Sequence, residues 1–356
     1  MTIVFLEHKV GAQAALCDCA VANGRSEETH MKIRNTIAAA LAVLSGVLAA
    51  GPAVAQQASY PERVVKIIAG FPPGGGNDVL ARLLAERLQN VLGQPFVVEN
   101  RPGANGFIAF DAVRKSKPDG YTLLVGPSSG MAVNPAVYRK LPYDPLKDFA
   151  PISMVGGFPL LVTVKPDSPY KTLDDFVQAA RKDPDSIDYG SAATSFQLAT
   201  EMFAQQAQIK LHHIPYTGSA QAVHAVLSGE VPVTFADSSA AVPQIKADSL
   251  RALAVTTGQR ISSLPDVPTV REENYPDYEM MLWSGLFAPA GTPPEVLNKL
   301  EQTVRDIVQE PRIQERLQAL GIEPIGSTSE ALTATMQTQI EQYKEVARNA
   351  DISIDW

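Results

Sequence analysis

The chain has 356 residues, 45% of them hydrophobic and 19% charged, which is the balance of a folded globular protein rather than a disordered one. That length suits two domains of ordinary size. A net charge of −8 argues against nucleic acid as a partner, and the sequence holds no internal repeat and no long low-complexity tract.

In chain order, the first recognisable element begins at Met31, with "MKIRNTIAAALAVLSGVLAAGPAVAQQ". Lys32 and Arg34 form a basic start, Ile37 to Ala50 an apolar run, Gly51-Pro52 a break, and Ala53-Val54-Ala55 an A-x-A cleavage site. These are the parts of a secretory signal peptide. The apolar run is too short for a comfortable membrane span. A signal peptide does not normally follow 30 further residues, so Met31 is read as the true start, residues 1–30 as an upstream extension, and Gln56 as the approximate mature terminus in the periplasm. The two cysteines, Cys17 and Cys19, fall in the extension. The mature chain is then expected to lack disulfides, thiolate nucleophiles and cysteine metal sites. No cysteine follows the cleavage site to take a lipid anchor.

Residues 64–71, "VVKIIAGF", read as a buried strand, being short, apolar and β-branched. After the glycines of "FPPGGGND", Val79, Leu80, Leu83, Leu84, Leu88, Val91 and Leu92 recur at helical spacing, and Gly93 ends the run. "PFVVEN" is a second strand, "AFDAVRKS" a helix and "DGYTLLVG" a third strand, an alternation that predicts parallel strands with crossover helices. Residues 159–164 form a strand. "TLDDFVQAARKD" is a helix whose Thr172 and Asp175 approach a capping box. A second alternation follows: "DYGS", "FQLATEMFAQQAQ", "KLHHIPY", "SAQAVHAVLSGE" closed by Gly229, "VPVTFAD" and "LRALAVTT". "MMLWSGLFAPA" then crosses to a helical C-terminal block. Two α/β units are thus expected, joined by extended strands near 158–164 and 281–287. The boundaries are 56–160 with 283–356 for the first domain and 161–282 for the second. Proteins of this shape bind ligands between their domains.

Three loops at the carboxyl ends of strands stand out, where open α/β sheets bind ligands. The first holds Phe71, Gly74, Gly75, Gly76, Asn77 and Asp78. A strand, a glycine loop and a helix N-terminus together make an anion-binding arrangement, because free N–H groups and the helix dipole point at the ligand. No Lys-Ser/Thr follows the glycines, and Val79 breaks G-x-G-x-x-G, so a nucleotide site is disfavoured. A tight turn capped by Asn77 or Asp78 explains the same residues. The second loop, "YGSAATS", offers Ser191, Thr194 and Ser195; capping accounts for one of these hydroxyls. The third, "PYTGSA", offers Tyr216, Gly218 and Ser219.

Catalytic and metal alternatives are weaker. "GPSSG" fits G-x-S-x-G and would make Ser128 the nucleophile of an α/β-hydrolase. The prolines of "MAVNPAVYRKLPYDP" leave no convincing helix after it, and no histidine follows His224. His212 and His213 are adjacent on a strand, so they point to opposite faces and make a poor metal pair.

"KIIAGFPPGGGNDVLARLLAERL", "VVENRPGANG", "DGYTLLVG", "PYTGSAQAVHAVLSGEV", "LRALAVTTGQRISSLPDVPTVRE" and "WSGLFAPAGTPPEVLNKL" run in the order of a known family. Over roughly residues 60–350 the chain resembles the Bug-type receptors of tripartite tricarboxylate transporters. The resemblance implies a two-domain Venus-flytrap periplasmic binding protein, type II-like, with no catalytic activity and no cofactor or metal. It implies a small carboxylate ligand, such as a di- or tricarboxylate, amino acid or aromatic acid. That ligand would be gripped by backbone N–H groups, hydroxyls and water more than by salt bridges. Carried over by position, Phe71 to Asp78 form one jaw and Ser191, Thr194, Ser195 and residues 216–219 the other, with Ser128 also at the ligand and Asp237 at a frequently acidic position. Transporter subunits of the inner membrane would be transient partners of a monomer. Two segments depart from the pattern. "SAATSFQLA" has Ala193 and Ser195 where glycines are usual, or slides in register, and Gln197 or a neighbour stands where His is usual. "REENYP" replaces the usual E-A-G. The sequence therefore reads as a solute receptor, set against a binding protein that senses rather than transports and against a serine hydrolase using Ser128.

Overall fold

The computed structural model describes residues 60–355 apart from Pro72, Gly74, Gly75 and Ala192. The leader and the extension before it, with Cys17, Cys19 and Gln56, lie outside the described residues, as do Gly74 and Gly75.

The chain opens with β1 (Val65–Ala69), α1 (Gly76–Leu92), β2 (Phe96–Asn100), α2 (Phe107–Arg114) and β3 (Thr122–Pro127). Strand β1 lies between β2 and β3 and is parallel to both, as the alternation predicts. The apolar stripe of α1 explains its place: Leu80, Leu84 and Leu88 are fully buried against Ile67 and Leu123, and Gly93 leaves the helix in the left-handed region at φ +74°. A helical turn over Ser129–Val133 and α3 (Asn134–Val137) follow β3. A helical segment thus does follow "GPSSG", contrary to the expectation from its prolines. Pro135 falls in the first turn of α3, where a missing N–H costs nothing.

Strand β4 (Phe149–Val164) is 16 residues long and starts ten residues before the expected strand. Pro151, Gly156, Gly157 and Pro159 hide it in the sequence. The structure absorbs them with register shifts between Pro151 and Ser153 and between Met154 and Gly156, and all of 152–164 is buried.

The second alternation comprises α4 (Leu173–Lys182), β5 (Asp188–Ser191), α5 (Thr194–Ala207), β6 (His212–Pro215), α6 (Ser219–Ser228), β7 (Val233–Asp237), α7 (Ser238–Lys246) and β8 (Arg251–Val255). Strand β5 pairs in parallel with β6 and β7. Thr172 and Asp175 complete a reciprocal capping box on α4, and Gly229 ends α6 in the left-handed region. Helix α7 was not legible in the sequence, since Pro243 sits inside it and "SSAA" carries no apolar period.

Strand β9 (Met281–Pro289) then runs antiparallel to both β3 and β4. Helices α8 (Pro294–Gln309) and α9 (Pro311–Ala319), the short β10 (Glu323–Pro324) and α10 (Ser329–Asn349) complete the fold. The strand order is β2-β1-β3-β9-β4-β7-β5-β6, with β8 and β10 also paired to β4.

Strand β4 is therefore common to two arrays. Phe149–Pro159 pairs with β9, and Leu160–Val164 pairs with β7 and β8. Thr256, fully buried, sits at the change-over. Its Oγ1 accepts from the Leu160 N–H at 3.0 Å and donates to the Met280 carbonyl at 2.6 Å, so one hydroxyl joins the outgoing and returning segments. Among the described residues, no helix is long and apolar enough to cross a membrane.

Candidate functional site

A cavity of about 190 Å³ opens where the loops of the two arrays face each other across β4 and β9. From the first array come Phe71, Gly76 and Asn77 at the start of α1, and Pro127, Ser128 and Ser129 at the end of β3. From the second come Ala193, Ser195 and Phe196 at the start of α5, and Asp237 and Ser239 at the start of α7. The floor is made by the crossing strands themselves, through Phe158, Leu282, Trp283 and Ser284.

Each wall is fixed by hydrogen bonds. Asn100 donates through Nδ2 to the Phe71 carbonyl at 3.1 Å and to Asp78 Oδ1 at 2.8 Å, tying the first loop to β2. Asp78 also accepts from Arg82 Nε at 3.0 Å. Asn77 Oδ1 accepts from the Ser284 hydroxyl, which links the first loop to β9. Ser128 Oγ accepts from the Trp283 backbone N–H at 3.1 Å, and the Trp283 indole donates to Gln339 Oε1 on α10 at 2.8 Å. Trp283 is thereby held through its backbone and through its ring. Gly76 is required where it stands, because a Cβ there would lie 2.8 Å from the Phe158 ring.

Electrostatically the site is defined by helix ends. The N-termini of α1, α5 and α7 reach the cavity, and each brings the partial positive charge of a helix end. Their occupancy differs. Helix α7 is capped by Asp237, whose Oδ1 accepts from the Ala240 N–H at 3.1 Å and from the Ser239 hydroxyl. Helix α5 begins at Ala193, which supplies no side-chain cap. Its Phe196 and Gln197 N–H groups turn back to the Ala193 carbonyl at 2.9 and 3.1 Å, beside the buried Ser195. Among the described lining residues there is no Lys, Arg or His, and Asp237 is the one charged side chain.

Of the residues singled out in the sequence, the cavity brings together Phe71, Gly76, Asn77, Ser128, Ser195 and Asp237. Asp78 lies behind the loop, buried on Arg82 and Asn100. Ser191 is buried too, with its hydroxyl 2.6 Å from His213 Nε2. Ser219 stands one step back: its Oγ accepts from the Asp237 N–H at 3.2 Å. Thr194, Tyr216 and Gly218 do not line the cavity. His212 and His213 take different partners, Asp188 and Ser191, as their positions on a strand require.

Sequence reasoning did not single out Phe158, Phe196, Leu282, Trp283, Ser129, Ser239 or Ser284 as lining residues. The signal for the floor was present, because a strand that crosses between two arrays must pass under any cleft between them. Ser239 depended on a helix the sequence conceals.

Strand-to-helix loops from two arrays, joined by crossing strands around a small cavity, are the arrangement of a solute-binding protein. The comparisons agree. Residues 80–352 match the tripartite tricarboxylate transporter receptor family, TctC. BugT of Bordetella pertussis is 36% identical over 293 residues, covering 82% of this chain and 90% of that protein. Among solved structures, R. palustris Rpa4515 with adipate is 34% identical at a TM-score of 0.74, covering 83% of this chain and 100% of that one. MatC from Rhodopseudomonas palustris with bound malate is 29% identical at a TM-score of 0.70, covering 81% of this chain and 99% of that one. The chain belongs to the tripartite tricarboxylate transporter receptor family. These receptors are periplasmic solute-binding proteins and not enzymes.

Proposed function

We propose that this protein captures a small carboxylate in the periplasm and presents it to a tripartite transporter. The observation that carries the reading is that the starts of α1 and α5 both border the cavity, with no side-chain cap on α5 and no Lys, Arg or His among the described lining residues. Backbone N–H groups at helix ends bind anions without a basic side chain. The adipate and malate bound by related receptors are in keeping with this.

On the same reading, residues 31–55 direct export and are removed near Ala55-Gln56. Residues 56–160 with 283–356 form one lobe and 161–282 the other, and the lobes close on the ligand about the crossing strands. Carboxylate binds through Phe71 to Asn77, Ser128 and Ser195, with Ser191 and Ser219 supporting those loops from behind. The protein acts as a monomer that meets membrane subunits transiently. No reaction is assigned to Ser128. Its hydroxyl is engaged by Trp283, and no histidine lines the cavity among the described residues.

The test is a thermal-shift screen of the purified mature protein against mono-, di- and tricarboxylates. A true ligand at 100 times its Kd adds about 2.7 kcal/mol of stability. If no carboxylate raises the melting temperature, the receptor reading is lost.

A further inference from the structure

Strand β4 is gripped close to its change-over from both sides. On one side β10 pairs Glu323 with Gly157, and on the other β7 pairs Asp237 with Leu160. Between those points Phe158 and Pro159 pair with β9.

The segments attached to the two grips also meet each other. Ser238 is the first residue of α7, directly after β7, and Gly321 lies between α9 and β10. The Ser238 hydroxyl, which is buried, donates to the Gly321 carbonyl. Gly321 closes α9 in the left-handed region at φ +71°, with its own N–H and that of Ile322 returning to the Gln318 and Leu317 carbonyls at 3.0 and 2.9 Å. The negative end of α9 thus meets the positive end of α7.

A closed ring results: β4 from Gly157 to Leu160, then β7 and Ser238, then Gly321 and β10. Three sides of a ring can flex, and the fourth fixes the angle between them. The seam has no slack, since a Cβ on Gly321 would lie 3.1 Å from the Ser238 carbonyl carbon and from the Ser239 nitrogen, both backbone atoms. Asp237 and Ser239, on either side of Ser238, line the cavity, so the same angle decides where that wall stands.

We infer that Ser238 and Gly321 form a strap across the hinge, which holds the two arrays at the angle seen here and so sets the width of the cavity. This rests on the proposal that the arrays move as lobes about the crossing strands.

Pulsed electron resonance between two nitroxides on the ligand-free mature protein tests it. The mature chain has no cysteine of its own, so labels at Pro102→Cys and Ala220→Cys report a single distance. Both positions are exposed, and they follow the carboxyl ends of the outermost strands, β2 and β6. Ser238→Ala removes the bond, and Gly321→Ala drives a Cβ into the seam. Each should lengthen the mean distance. Gly93→Ala is the control: Gly93 has nearly the same φ, +74°, but nothing within 4 Å of its Cβ position. It carries the backbone strain without the wedge and should leave the distance unchanged. A bond that is merely structural would lower the melting temperature without moving the labels. An unchanged or shorter distance in either seam variant overturns the inference, as does an equal lengthening in Gly93→Ala. If one seam variant does not fold, the other decides. Lobes that close on a carboxylate in small-angle scattering while these distances stay fixed would remove the strap alone. If neither responds, both readings go.

Discussion

His213 holds the cavity from a distance. Its Nε2 lies 2.6 Å from the Ser191 hydroxyl, its ring packs against Tyr189 with centroids 5.2 Å apart, and Ser191 ends the strand that leads into Ala193 and Ser195. Burial pushes the imidazole below its ordinary value of 6.5, and the neighbouring His212 adds to that. The unfolded chain therefore binds a proton at His213 before the folded protein does. Stability supplied by the neutral ring is complete well above pH 6.5 and is lost as pH falls from 6.5 through the lowered folded value. Glu201, whose carboxyl receives the Tyr189 hydroxyl at 2.7 Å, is shifted the other way by burial, so its contribution falls as pH rises. Comparing two proteins that both contain Glu201 cancels that term. We expect the melting temperature of the wild type to fall between pH 7 and pH 5.5 more steeply than that of His213→Gln. Parallel slopes would show that His213 does not titrate with folding. At this scale the sequence was legible in part. Ser195 and Asn77 declare themselves as polar groups at helix starts, whereas Asp237 was reached only through the family resemblance, its helix being concealed. Trp283 and Phe196 look like core residues until their surroundings are known, since an aromatic residue in a wall and one in a core have the same local pattern.

Among the elements, β4 departs most from its sequence. Residues 149–158 carry the prolines and glycines that usually end a strand, yet they extend it, because the bulges let the ladder to β9 resume after each interruption. The elements with a clear period, such as α1, α4 and β1, were legible to within a few residues, because burial on one face leaves a regular trace. Strand β4 is buried on both faces and α7 is built from small residues, so neither has a period to read. The change-over in β4 depends on one side chain. Thr256→Val keeps the shape of Thr256 but leaves the buried Leu160 N–H without its hydroxyl acceptor and the Met280 carbonyl without its donor. Chemical denaturation should show a loss of about 1–3 kcal/mol, the cost of leaving such a group unpaired. A loss within about 0.5 kcal/mol, typical of an unimportant surface change, would mean that the segments are held together by their backbones alone.

For the whole molecule, the central fact is that the cavity has its floor in the crossing strands and its walls in loops of both arrays. If the lobes close on a ligand as proposed, small-angle scattering should record a smaller radius of gyration when a bound carboxylate saturates the protein. An unchanged radius at saturation would argue against hinged lobes. The global fold was legible in the order of its strands and helices, and the two crossing strands in the extended segments near 158–164 and 281–287. The size of the cavity was not, because it depends on how closely distant rings approach one another.

That floor has a consequence for how occupancy is reported. Because Leu282 and Trp283 belong both to the cavity lining and to the strand that returns between the arrays, closure about that strand, as proposed, would respond to the bulk of whatever fills the site. A carboxylate too bulky for the gap would hold the site yet prop the proposed lobes apart. Such a compound would compete for the site without producing the closed form. It would be an antagonist of whatever recognises that form, and its potency would depend on its width, independently of its affinity.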